Sequence, residues 1–160
     1  MTAVRRTLAT KILALTAISA SLCISFQARA ADLNTLLADY VQSSEVIHQQ
    51  LVILKKHAPS CGMIGGQMGG RMEESIVGQK QQVEIVLKAV KVGKAGQGAI
   101  HSRIIDAEKS NAELKSNLSM ARYGLTTENA TCKQAAAAFE IMVTQTSEIP
   151  KKLKSIYQAL

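Results

Sequence analysis

Aromatic residues are scarce: the 160-residue chain has no Trp, two Phe and three Tyr. Only two Pro and three His are present. No segment alternates apolar and polar residues with period two, so β-strands are not expected. No Cys-x-x-Cys-His occurs, which excludes a c-type haem. No Ser stands in a Gly-x-Ser-x-Gly setting, the shaped turn of one hydrolase class. Gly93, Gly96 and Gly98 do not make a dinucleotide fingerprint, because they fall between helical segments and follow no strand. Glu73 and Glu74 are adjacent, so on a helix they point to different faces and cannot clamp one bond. His48 and His57 belong to one helical segment and His101 opens another. With no nucleophile or acid pair to serve, catalysis is not expected.

The first thirty residues carry the marks of export. Arg5, Arg6 and Lys11 precede an apolar run from Ile12 to Phe26. Ala28-Arg29-Ala30 then supplies the small-x-small pattern that a signal peptidase seats. Residues 1–30 therefore read as a signal peptide cut before Ala31, leaving 31–160 as one domain. An uncleaved anchor is the competing reading, but a span needs about 20 apolar residues and this run is short and rich in Ser and Thr. Cys23 follows Leu22 rather than a small residue, so it is read as leaving with the signal rather than as a lipid attachment point. Beyond Ala31 charges recur too often for a transmembrane segment. A soluble product in a bacterial periplasm, or outside the cell, is expected. The sequons at Asn117 and Asn129 matter only in a eukaryotic secretory route, and the brief signal looks bacterial.

Cleavage changes the charge and the cysteine count. The whole chain has a formal charge of +7. Arg5, Arg6, Lys11 and Arg29 leave with the signal, so 15 basic and 12 acidic side chains remain. A nucleic-acid footprint wants clustered Lys/Arg with stacking aromatics, and neither is present. Cys61 and Cys132 are left as an even pair in an oxidising compartment, which predicts a disulfide. Closing a loop of about 70 residues would stabilise by roughly 4 kcal/mol on the chain-entropy model.

The mature pattern is helical throughout. Helix one is expected over 32–57, capped by Asp32 and stopped by Pro59, with Leu33, Leu36, Leu37, Tyr40, Val41, Ile47, Leu51 and Leu54 on one face. Segment 60–70 reads as a flexible glycine-rich break. A helical alternative there would use Gly62, Gly66 and Gly70 for close packing. Helix two is expected from about Arg71 to Val92, with Glu73 and Glu74 in its first turn and Lys88, Lys91 and Lys94 closing it. Helix three, about 99–123, has the most regular register: Ile104, Ala107, Asn111, Leu114, Leu118, Ala121 and Leu125. Gly124 ends it, and Thr126 or Thr127 can cap the next. Helix four carries Cys132, Ala135, Phe139, Met142, Thr146 and Ile149, and the spacing continues through Leu153, Ile156 and Leu160. Pro150 should kink that helix or open a short fifth one. The fold class is thus all-α, an antiparallel up-down bundle of four main helices with one disulfide. This topology brings the first and third breaks to the same end, where Cys61 and Cys132 can meet.

Two features suggest contacts. Asn111 is the single polar residue on its seam, where an Asn can select register or partner; an edge position is the other reading. His57, Met63, Met68 and Met72 lie within sixteen residues, and imidazole and thioether ligands suit Cu(I). Against this, Cys61 is expected to be tied to Cys132, and ordinary gap-filling by methionine under a glycine-rich loop is the favoured reading. No cofactor is expected. The leading functional reading is a non-catalytic periplasmic protein that works through protein partners in the cell envelope, with self-association as one form. An accessory subunit of an envelope-spanning conjugation or type IV secretion apparatus would fit. A carrier of a small ligand or copper through 57–72 is the alternative, and a stress chaperone is third.

Overall fold

The three-and-four spacing of apolar residues produces helices almost everywhere in the computed structural model, which describes residues 32–125 and 129–160. Helix α1 covers 32–57. A 3-10 turn, Ala58–Ser60, leads into α2, Gly62–Lys91. A second such turn, Gly93–Gly96, leads into α3, Gln97–Gly124, and α4 covers Ala130–Ala159. No strand occurs among the described residues. The expected signal peptide and its expected cleavage residues Ala28, Ala30 and Ala31 lie outside them.

The expected bundle is present. Helix α3 packs on both α2 and α4. Arg122 bonds Glu140 through two nitrogens at 2.6 and 2.7 Å, and Lys154 meets Glu108 at 2.6 Å. Both pairs join α3 to α4, and their crossed numbering fixes the helices as antiparallel. Lys55–Glu73 ties α1 to α2, and Lys152–Asp39 ties α4 to α1. Exposed pairs of this kind contribute little stability. They register the helices rather than hold them.

The core does the holding. Tyr40, Leu54, Val86, Ile100, Phe139 and Leu153 are among its fully buried members. On α1 the predicted stripe is found with Tyr40, Ile47, Leu51 and Leu54 buried, and Ser43 and Ser44 fill the gap between the first two. On α3 the predicted seam is also the inward one, buried at Ile104, Ala121 and Leu125 and half-buried between.

The glycine-rich stretch departs from expectation, because 62–70 is helix rather than loop. Glycine in a helix costs about 1 kcal/mol relative to Ala, so local propensity favours a break. Tertiary contact overrides it. Gly65 lies so close to Ala58 and Cys61 that a Cβ there would overlap the Ala58 carbonyl oxygen. Gly66 and Gly70 have nothing within 4 Å of an added Cβ, so the Gly62, Gly66, Gly70 spacing is not a packing device. The early start also moves Glu73 and Glu74 away from the first turn, which has no acidic residue.

Pro150 likewise neither ends α4 nor opens a fifth helix; it lies inside a continuous one. An interior proline costs about 3 kcal/mol or more. Ile149, Leu153 and Ile156 are all buried around it, and each contributes about 1.5–3 kcal/mol on burial. The seam outweighs the proline. The cap of α4 is Asn129, whose side-chain oxygen accepts from the Thr131 N–H at 2.9 Å. Thr126 and Thr127 lie outside the described residues.

Glycine substitutions should separate these roles. Gly78 sits mid-helix with nothing within 4 Å of an added Cβ, so Gly78→Ala should stabilise by about 0.5–1 kcal/mol. Gly124→Ala would place its Cβ 2.5 Å from Ile64 Cγ2 and should destabilise by about 1–3 kcal/mol. Urea unfolding monitored by circular dichroism measures both.

Candidate functional site

The bundle is tight at its ends and loose at the centre of the α2–α3 seam. Cys61, Gly65, Val86 and Ala89 are buried on or beside α2, yet no described residue from 66 to 85 is. On α3, Ile100, Ile104, Ala121 and Gly124 are buried, and none from 105 to 120 is. The residue sizes explain this. Ser75 and Gly78 of α2 and Ala107 and Ser110 of α3 line one cavity of about 260 Å³. These four side chains are too small to fill the space between the two helices.

All four helices line that cavity. Ile47, Ile149 and Leu153 supply apolar wall, and Tyr40, Gln79, Gln82, Thr146, Arg103 and Asp106 supply polar groups. Tyr40 is only 2% exposed. Burial pushes its phenol above the usual value, while the Ser44 hydroxyl and the Arg103 guanidinium act the other way. Arg103 Nη2 bonds Asp106 Oδ2 at 2.6 Å. Its side chain is 21% exposed against 47% for Asp106. Arg103 Nε is buried and has no hydrogen-bond partner among the described residues. An unsatisfied donor on a charged group costs at least about 1–3 kcal/mol. Nothing in the sequence pattern flagged Arg103, because one Arg beside an Asp three residues on reads as a surface helix pair.

A second cavity, about 300 Å³, follows along the same seam toward the disulfide. Met68 and Met72 line it, together with Met120 of α3 and Met142 of α4. Met63 is not among them; it is 79% exposed. Five helical positions separate Met63 from Met68, which turns the two to different faces. The structure therefore divides the His57, Met63, Met68, Met72 group and supplies two methionines that sequence spacing could not join to it.

Cys61 and Cys132 form the expected disulfide, with Cα atoms 5.4 Å apart. Asn111 is half-buried on the α3 seam between Ala107 and Leu114. The histidines are dispersed. His48 lies beside Gln79 and Glu84 in a separate shallow pocket, and His57 is at the disulfide end. The His101 ring is 5.9 Å from that of Tyr157, at the opposite end. Among the described residues no group of three or more His, Cys, Asp or Glu could hold a metal ion. None of the described helices is long and apolar enough to cross a membrane.

Breaking the disulfide by Cys61→Ala with Cys132→Ala should lower stability by about 3–4 kcal/mol. Hydrogen exchange should accelerate first over 62–70, where glycine leaves the helix dependent on its tether. Uniform protection across α2 in the variant would contradict that order.

No family model matches the chain, and no curated protein or solved structure matches it.

Proposed function

We propose that the chain is a non-catalytic protein of the bacterial cell envelope that works by docking its helices on a protein partner. One observation carries this reading: large apolar side chains are presented together at the disulfide end of the α2–α3 hairpin. Met63, Met120 and Tyr123 are 79%, 61% and 76% exposed. Ile64 packs against Gly124, which brings the first turn of α2 to the last turn of α3. Exposed apolar residues grouped in this way mark contact surfaces more often than isolated ones do. The tether beneath them keeps the surface preformed, which lowers the ordering cost of binding. An accessory role in an envelope-spanning machine, such as a conjugation or type IV secretion apparatus, is the form we favour.

Native co-purification from a periplasmic extract tests this. A stoichiometric partner should be retained by the wild-type chain and lost with Met63→Lys and Tyr123→Lys. Circular dichroism should be unchanged, because both positions are exposed. A chain that stays monomeric and alone under native conditions overturns the reading, and a self-associated chain makes the partner a second copy.

The carrier reading has one observation of its own: four methionines from three helices line a single cavity. Thioethers are soft ligands suited to Cu(I). On this reading the oxidised protein takes up Cu(I) in competition with a chromogenic chelator. Met68→Ala with Met142→Ala should abolish uptake, and Met63→Ala should leave it intact. Absence of uptake discards the copper carrier.

A further inference from the structure

We infer that the methionine-lined cavity is a binding site for a small organic anion with an apolar, ring-sized body. This deepens the carrier reading and rests on it, with an organic cargo in place of Cu(I). The cavity is graded from floor to mouth. Leu54, Phe139 and Met142 are its buried members. Met68, Met72 and Leu114 are half-buried, and Arg71 and Met120 are exposed. An apolar body can therefore leave water here while its polar end stays at the surface.

Size limits the body. A volume of about 300 Å³ is at the lower end of the usual range of about 300–1,000 Å³ for ligand pockets. At roughly 30 Å³ for each water-sized unit, it holds about ten non-hydrogen atoms, a ring system rather than a lipid. The walls suit such a body. Unbranched thioether side chains adapt to the shape they enclose, and their sulfurs make favourable contacts with ring edges.

Charge sets the head group. Arg71 is the only charged residue that lines the cavity, and Gln67 and Asn117 add neutral amides. Helical spacing puts Arg71 on the same face of α2 as Gln67 and Met68, one turn earlier. Its guanidinium makes no ion pair among the described residues. The bond that joins it to the Ser75 hydroxyl uses its backbone carbonyl. An exposed, unpaired guanidinium offers parallel N–H groups to a carboxylate, and no acidic side chain lines the cavity to compete. The Arg103 cavity differs, because Asp106 already pairs with the cation there at 2.6 Å. A cationic ligand would be repelled by Arg71, and a neutral one would gain only the apolar contacts.

Indole-3-acetate is the probe, with indole-3-acetamide and tryptamine as neutral and cationic controls, on the full chain with its disulfide intact. The chain has no Trp, so the emission of the ligand reports binding directly. Indole-3-acetate should bind saturably and about tenfold more tightly than either control, as a charge-assisted hydrogen bond at an exposed site allows. Arg71→Gln should remove that advantage and leave binding of the amide unchanged. Arg71→Glu should turn the preference toward tryptamine. Because Arg71 is exposed, both variants should keep the wild-type circular dichroism. Met68→Leu with Met142→Leu keeps the apolar volume but removes the sulfurs; it should abolish Cu(I) uptake and retain indole-3-acetate. Absence of saturable indole-3-acetate binding overturns the inference, and Cu(I) uptake in the same protein would leave the carrier reading standing. Equal affinity for the three ligands, or an unchanged preference in Arg71→Gln, overturns it as well.

Discussion

The Cys61–Cys132 bond is the constraint on which the rest of the arrangement depends. It joins the residue that opens α2 to the first turn of α4. Three chain segments converge there: the 3-10 turn after α1, the glycine-rich start of α2 and the last turn of α3. Contact at Gly65 and Gly124 is too close for any side chain. Such fit is unforgiving, because interiors pack at crystal-like density and a single added carbon must displace something. A covalent tether removes much of the entropy that would otherwise pull this end apart. Helix α2 can then begin in a stretch whose own propensity opposes it.

Anchoring at that end has a counterpart at the other. Gly96 packs on the Ala89 carbonyl so closely that no Cβ would fit, and Ile100 and Val86 are fully buried beside it. Between these two clamps the α2–α3 seam has only half-buried apolar residues such as Met72, Ile76, Leu114 and Leu118, interrupted by Ser75, Gly78, Ala107 and Ser110, and two cavities open along it. An underpacked middle lowers stability, since each missing methylene forfeits about 0.8 kcal/mol of burial. The clamped ends allow the loss without loss of register. Binding surfaces in helical bundles are commonly built this way, from side chains on facing helices inside a scaffold fixed elsewhere.

Much of this was legible in the residues. The α3 seam from Ile104 to Leu125 could be read from spacing alone, because apolar periodicity reports the buried face whatever the neighbour is. The disulfide followed from cysteine parity and the order of the helices. Misreadings arose where a local signal was overruled at a distance. The 60–70 break failed because Ile64, Gly65 and Gly124 meet across the fold, which propensity cannot see. At Pro150 a kink or a fifth helix is expected, but one helix runs through it with Ile149, Leu153 and Ile156 buried around it. At the candidate sites the sequence was weaker. It grouped Met63 with Met68 by proximity, where helical geometry separates them. It also passed over Arg103, whose importance lies in a buried nitrogen and not in its neighbours along the chain.

Arg103 also connects packing to chemistry in a way that bears on the whole bundle. A guanidinium drawn partly out of water normally finds acceptors for every N–H, because desolvation costs more than one hydrogen bond returns. Arg103 Nη2 donates to Asp106, which is about half exposed, and to the Ser102 hydroxyl at 3.4 Å, while Nε stays unpartnered among the described residues. Gly78 and Ala107, the half-buried small residues beside it, leave this layer underfilled. The stability forgone in that layer is supplied by the clamps at each end, where Gly65, Gly96 and Gly124 pack too closely for a side chain.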